Sequence, residues 1–114
     1  MRPGKIALLR FPRADLERGK LRPVLLIAQV PGPHADWLVA MVSTRLDQAV
    51  SDLDEVITES DEEFPASGLK KASVIRAGRL AVVDAELLDG EIGEIPSRML
   101  ERIRDRITSW ILGG

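Results

Sequence analysis

The chain has no cysteine and a single histidine, His34. The first absence excludes disulfides and thiolate chemistry, and it fits a reducing compartment. The second means that a zinc site would need carboxylates for almost all of its ligands, against the nitrogen and sulfur preference of zinc. His34 lies in Pro31-Gly32-Pro33-His34, turn sequence in which a histidine is more often solvated than catalytic, and one histidine gives a poor basis for a Ser-His-Asp triad. No metal and no cofactor is expected. Also missing are a Walker loop, a glycine-rich dinucleotide fingerprint, internal repeats and low-complexity tracts. No apolar run approaches the ~20 residues needed to cross a bilayer. The longest are residues 24–28 and 37–42. The N-terminal stretch 6–9 is stopped at once by Arg10, too short for an export signal. The expectation is a protein that stays in the cytoplasm and has no membrane partner.

What is present is ordinary globular material. Hydrophobic residues make up 45% and charged residues 30%, which argues against disorder of the whole chain. At 114 residues the chain reads as a single domain over 1–114, long enough for one core but not for two. Net charge is −2, which alone argues against nucleic acid, but it is unevenly spread. Residues 1–50 balance at +4, residues 51–69 at −7, residues 70–83 at +4 and residues 84–114 at −3. Two basic blocks separated by an acidic one allow a locally positive face; a mixed, solvated surface is the simpler reading of charge alone.

Residues 5–11 read as a first strand and residues 12–21 as a loop, with Pro12 and Gly19 as breakers. Pro23 then opens the continuous apolar run 24–28, the pattern of a strand buried on both faces, and 37–42 repeats it. Residues 46–69 are irregular and acidic, with a short strand near 55–57. Residues 73–75 and 80–83 are two short strands or one bent strand with Gly78 at the break. Gly90 marks a turn before residues 92–95. Many short strands at this spacing give a mainly β barrel or sandwich rather than βαβ units. The period then changes: Leu100, Ile103, Ile107, Trp110 and Ile111 share one face of a C-terminal helix, started at Pro96-Ser97 and ended by Gly113-Gly114. Arginines 98, 102, 104 and 106 fill its other face.

Three short segments remain for chemistry. The loop before the second strand carries Glu17, Lys20 and Arg22-Pro23. The third strand ends in Ser43-Thr44-Arg45. Ser73-Val74-Ile75-Arg76 and Arg79 flank Gly78. On spacing alone Arg22 is a solvated residue before a proline, and Ser43-Thr44 a polar strand end or local backbone cap.

The order of these pieces resembles a family. Gly4-Lys5-Ile6 in a first strand leads to a loop bearing Glu17. Arg22-Pro23-Val24-Leu25 follows, then a strand ending in a hydroxyl pair, Gly68-Leu69 and Ser73-Val74-Ile75, a Leu-x-x-x-Ile turn and a terminal helix. This resembles the MazF/PemK (Kid) toxins of type II toxin–antitoxin systems over nearly the whole chain. The resemblance implies an SH3-like barrel with a C-terminal amphipathic helix, a homodimer, cleavage of single-stranded RNA, and neutralisation by a cognate antitoxin. By position it implies that Arg22, Ser43 and Glu17 are catalytic, with Thr44 the neighbour of Ser43 and Arg76 where the PemK branch has an arginine that helps cleavage. Lys20, Arg45 and Arg79 lie beside these positions, and Lys20, Thr44, Arg45, Arg76 and Arg79 are expected to bind substrate. The chain departs from the PemK branch where Gly78 replaces an Asp and Leu16 a His, and it reads Ser-Thr where the family commonly reads Thr-Ser or Thr-Thr. Two other readings share the fold: a non-catalytic CcdB-like toxin that binds DNA gyrase, and an inactive relative.

Overall fold

The computed structural model describes residues 1–10 and 20–113. Strands β1 (Lys5–Arg10), β2 (Leu21–Gln29) and β3 (Asp36–Ser43) come first. A 3-10 turn (Leu46–Gln48), β4 (Glu55–Ile57) and the four-residue helix α1 (Phe64–Ser67) follow. The long strand β5 (Ser73–Asp84), a second 3-10 turn (Ala85–Leu87), β6 (Leu88–Glu94) and helix α2 (Ser97–Ile111) complete the order. All strand pairs are antiparallel, in the order β4-β5-β3-β2-β1-β6. The mainly β class with a C-terminal helix is therefore as expected, but the hydrogen-bonded ladder is an open sheet and not a closed barrel. At one end β4 is only three residues long. At the other, α1 packs backbone to backbone on β6: a Cβ on Gly68 would land on the Ile92 carbonyl, and one on Gly93 would land on Ser67.

The unbroken apolar runs are explained by burial on both faces. Along β2, Leu25 and Ile27 enter one apolar cluster while Val24 and Leu26 enter another. Along β3, Ala40 and Val42 join the first, and Trp37 and Val39 the second. The chain thus builds two cores where its length suggested one. Sharing the strands makes this possible, because each strand serves both clusters with alternate residues. Met99, Leu100, Ile103 and Ile107 of α2 close the first cluster. Each such burial is worth roughly 1.5–3 kcal/mol.

Three local expectations change, and one choice left open, over residues 73–84, is resolved. Trp110 and Ile111 share the helical stripe, yet they are 48% and 67% exposed, because the last turn of α2 runs past its final buried residue, Ile107. β2 begins at Leu21, ahead of Pro23. A residue without an N–H is tolerated there because residues 21–23 pair with β1 alone; the β2–β3 ladder starts at Val24–Met41. Residues 73–84 form one strand, and the break at Gly78 is a bulge: Ala40 faces Leu80 but Met41 faces Arg76, leaving residues 77–79 without partners on β3. Gly90 lies inside β6, at φ 119°, rather than in a turn before it.

Candidate functional site

The end of the β2–β3 ladder opens a groove. Continued past Val24–Met41, the register would set Arg22 opposite Ser43, but no pairing extends that far. The two strand ends separate, each still held on its outer side, β2 by β1 and β3 by β5. The bulge of β5 widens the opening from the other flank. The resulting open groove, about 1060 Å³, is lined by Arg22, Ser43, Arg76, Arg79, Asp54 and Trp110, among others. Residues distant in sequence meet here because the sheet loses pairing on two neighbouring strands at the same level.

Each side chain is placed by a local cause. Arg22 is exposed in the part of β2 that has one neighbour strand. Ser43 is the last residue of β3, and its Oγ accepts the Arg45 backbone N–H at 3.0 Å. With that lone pair engaged, the hydroxyl proton is left to donate. Arg79 sits exposed in the bulge. Arg76 is held from behind. Its Nε donates to Asp54 Oδ2 at 3.0 Å and its Nη1 to Gln48 Oε1 at 3.1 Å. Asp54 also accepts the backbone N–H groups of Ala77 and Val50, at 2.8 and 2.9 Å.

Of the residues singled out in the sequence, Arg22, Ser43, Arg76 and Arg79 come together in this groove. Lys20, Thr44 and Arg45 do not line it. Lys20 is exposed just before β2, and Thr44 is exposed just after β3. The Arg45 guanidinium lies on Asp47, at 3.1 and 3.0 Å. That hydrogen bond, foremost, holds the Asp47 carboxyl below the usual carboxylate range. Glu17 lies outside the described residues. His34 is exposed in the turn between β2 and β3. Among the described residues, no three histidine, aspartate or glutamate side chains gather as a metal site would require.

Asp54 and Trp110 are among the groove residues that escaped the sequence reading. Asp54 stood in an acidic run without a motif, and only its contacts with Arg76 and Ala77 give it a role. Trp110 was assigned to the helical core stripe; its position three residues before Gly113-Gly114 was the available signal that the stripe had outrun the core.

What the arrangement can do is bind a polyanion. It offers guanidinium groups, a hydroxyl donor and a half-exposed indole around one open space. Arginine forks match phosphate oxygens, and single-stranded nucleic acid is commonly gripped by such cations with an aromatic close by.

Comparison with known proteins agrees in fold. The Mycobacterium tuberculosis toxin MazF-mt6 has a similar structure, with a TM-score of 0.69 and 16% identity, over 94% of this chain and 95% of that one. MazF from Deinococcus radiodurans gives 0.65 and 20% identity over 100% and 97% of the two chains. An endoribonuclease solved with its cognate antitoxin, from a mycobacterial species, gives 0.64 and 18% identity over 99% and 95%. No curated protein matches by sequence. Residues 2–111 match the family described as PemK-like, MazF-like toxin of type II toxin–antitoxin system, and the chain therefore belongs to that family.

Proposed function

We propose that this chain is a growth-inhibiting toxin that cleaves single-stranded RNA at selected sequences, without a metal, and is neutralised by a cognate antitoxin. The observation that carries the reading is the convergence of Arg22, Ser43, Arg76 and Arg79 on one groove. Family membership supports the toxin, and the relative solved as an endoribonuclease with its antitoxin supports both activity and partner. The chain acts as one domain over residues 1–114 and works in the cytoplasm as a homodimer. Among the described residues no helix is long and apolar enough to cross a membrane. The apolar end of α2, with Ile111 67% and Leu112 86% exposed, suits a surface covered by a second copy.

RNA brings its own nucleophile. The 2′-oxygen loses its proton to a general base and bonds to the adjacent phosphorus. The bond from phosphorus to the 5′-oxygen breaks, and that oxygen takes up a proton. The products are a 2′,3′-cyclic phosphate and a free 5′-hydroxyl. Arg22 stabilises the charge that grows on the phosphorane oxygens. Ser43 donates a hydrogen bond to the phosphate. Glu17 serves as the base, and a carboxylate is a weak base for this step. Arg76 and Arg79 hold neighbouring phosphates. Incubation of the pure protein with a long RNA in EDTA tests the reading. Discrete fragments bearing cyclic phosphates are expected. Intact RNA in the presence of a protein that still arrests growth would point instead to a toxin without nuclease activity.

A further inference from the structure

We propose that Asp54 is a positioning residue for cleavage, a buried carboxylate that fixes the direction in which Arg76 presents its guanidinium to RNA. The proposal rests on the ribonuclease reading above. The Asp54 side chain is 1% exposed and that of Arg76 13%. Both carboxylate oxygens are used: Oδ1 by the Ala77 N–H, Oδ2 by the Val50 N–H and Arg76 Nε. One group therefore joins the segment before β4, the bulge of β5 and a groove cation.

Three donors converging on two oxygens explain why the residue is an aspartate. A carboxylate is acceptor-only and can take them all, whereas asparagine must turn an NH₂ toward at least one N–H. With Nε on Asp54 and Nη1 on Gln48, the Arg76 guanidinium is held at two of its three nitrogens. Among the described residues Nη2 has no acceptor, so it is the nitrogen best placed to meet substrate. Such a grip removes rotation from a side chain that otherwise samples many rotamers. It also has a cost, because the carboxylate cancels positive charge beside a groove that has to attract phosphates. A device that weakens attraction while fixing direction serves geometry rather than affinity.

That trade gives a test in which a merely structural role and a positioning role diverge. Asp54→Asn is compared with wild type in RNA cleavage under EDTA, in binding to a non-cleavable 2′-deoxy oligonucleotide, and in the NMR exchange rate of the Arg76 Nε proton. Circular dichroism confirms the fold. The expected result is faster Nε exchange and a kcat lowered roughly 10- to 100-fold, the scale of a misplaced substrate-positioning group. Oligonucleotide affinity is equal or tighter, because a negative charge has left the groove. The double variant Asp54→Asn/Arg76→Ala should be no slower than Arg76→Ala alone. If Asp54→Asn does not fold, Gln48→Ala releases only Nη1 and should lower kcat by a smaller factor without weakening binding. Full kcat in a folded Asp54→Asn, or losses that multiply in the double variant, would falsify the positioning role while leaving the ribonuclease intact. A wild type that cleaves no RNA removes both, whatever the Nε proton does.

Discussion

The arginines of α2 and those of the groove are the same residue type in two settings. On α2, Arg98 pairs with Glu63, and Arg102 and Arg106 both reach Glu55. Arg106 also donates to the Asp54 carbonyl, at 3.1 Å, and Arg104 to that of Ile27. These cations fasten the helix to β4, to β2 and to the segment before α1. In the groove, only Arg76 has a carboxylate partner among the described residues; Arg22 and Arg79 are exposed. The lesson concerns the acidic block 51–69, which seemed to set the chain against nucleic acid. Asp54, Glu55 and Glu63 from that block are occupied by Arg76 and by arginines of α2. Local charge is decided by who is paired with whom, and the net value of −2 conceals a groove in which three guanidinium groups outnumber the one carboxylate.

Substitutions on each side of this comparison should separate activity from stability. The largest effect is expected at Arg22. Arg22→Ala should reduce RNA cleavage by ~10²–10³, the usual loss for one transition-state donor, with an unchanged circular dichroism spectrum. Arg22→Lys retains charge but not the fork and should remain poor; Ser43→Ala should lose less. Full cleavage by folded Arg22→Ala would end its catalytic assignment. Next comes Glu55→Gln on the fastening side. Glu55 is mostly buried and serves two arginines, so denaturant unfolding should show a loss of about 1–3 kcal/mol. Cleavage by the protein that remains folded should be unaltered; an unchanged midpoint would mean that these pairs fasten nothing. The smallest effect contrasts Arg79→Ala with Arg98→Ala. Removing Arg79 should lower the slope of log affinity against log salt by about 1, and removing Arg98 should leave it alone. Equal slopes for both variants would erase the distinction drawn here.

The sequence disclosed those features that depend on near neighbours. The period of α2 up to Ile107, the doubly buried runs of β2 and β3, and the interruption at Gly78 are written in residues a few positions apart. The groove is not, because it arises from the end of one ladder and a bulge in another, and both depend on how strands far apart in the chain pair. Arg22, Ser43, Arg76 and Arg79, picked out through ordered motifs, line one groove. Lys20, Thr44 and Arg45 were drawn in by proximity in sequence alone, and Arg45 turns to the nearest carboxylate. Asp54 was invisible because its partners Arg76 and Ala77 lie on another strand. Arginines 98, 102, 104 and 106 looked like a solvated face for the same reason: their acceptors belong to other elements.

The crowding of α1 against β6 bears on how the protein behaves at high concentration. A strand at the end of a sheet presents unpaired N–H and C=O groups to any passing chain, and natural proteins blunt such ends by shortness, bulges or cover. Here β4 is three residues long, β6 changes register twice against β1, and Ser67 and Gly68 press on its backbone at Ile92 and Gly93. Neither end is a straight, accessible template for another strand. These are the devices by which an open sheet does for its ends what closure does for a barrel.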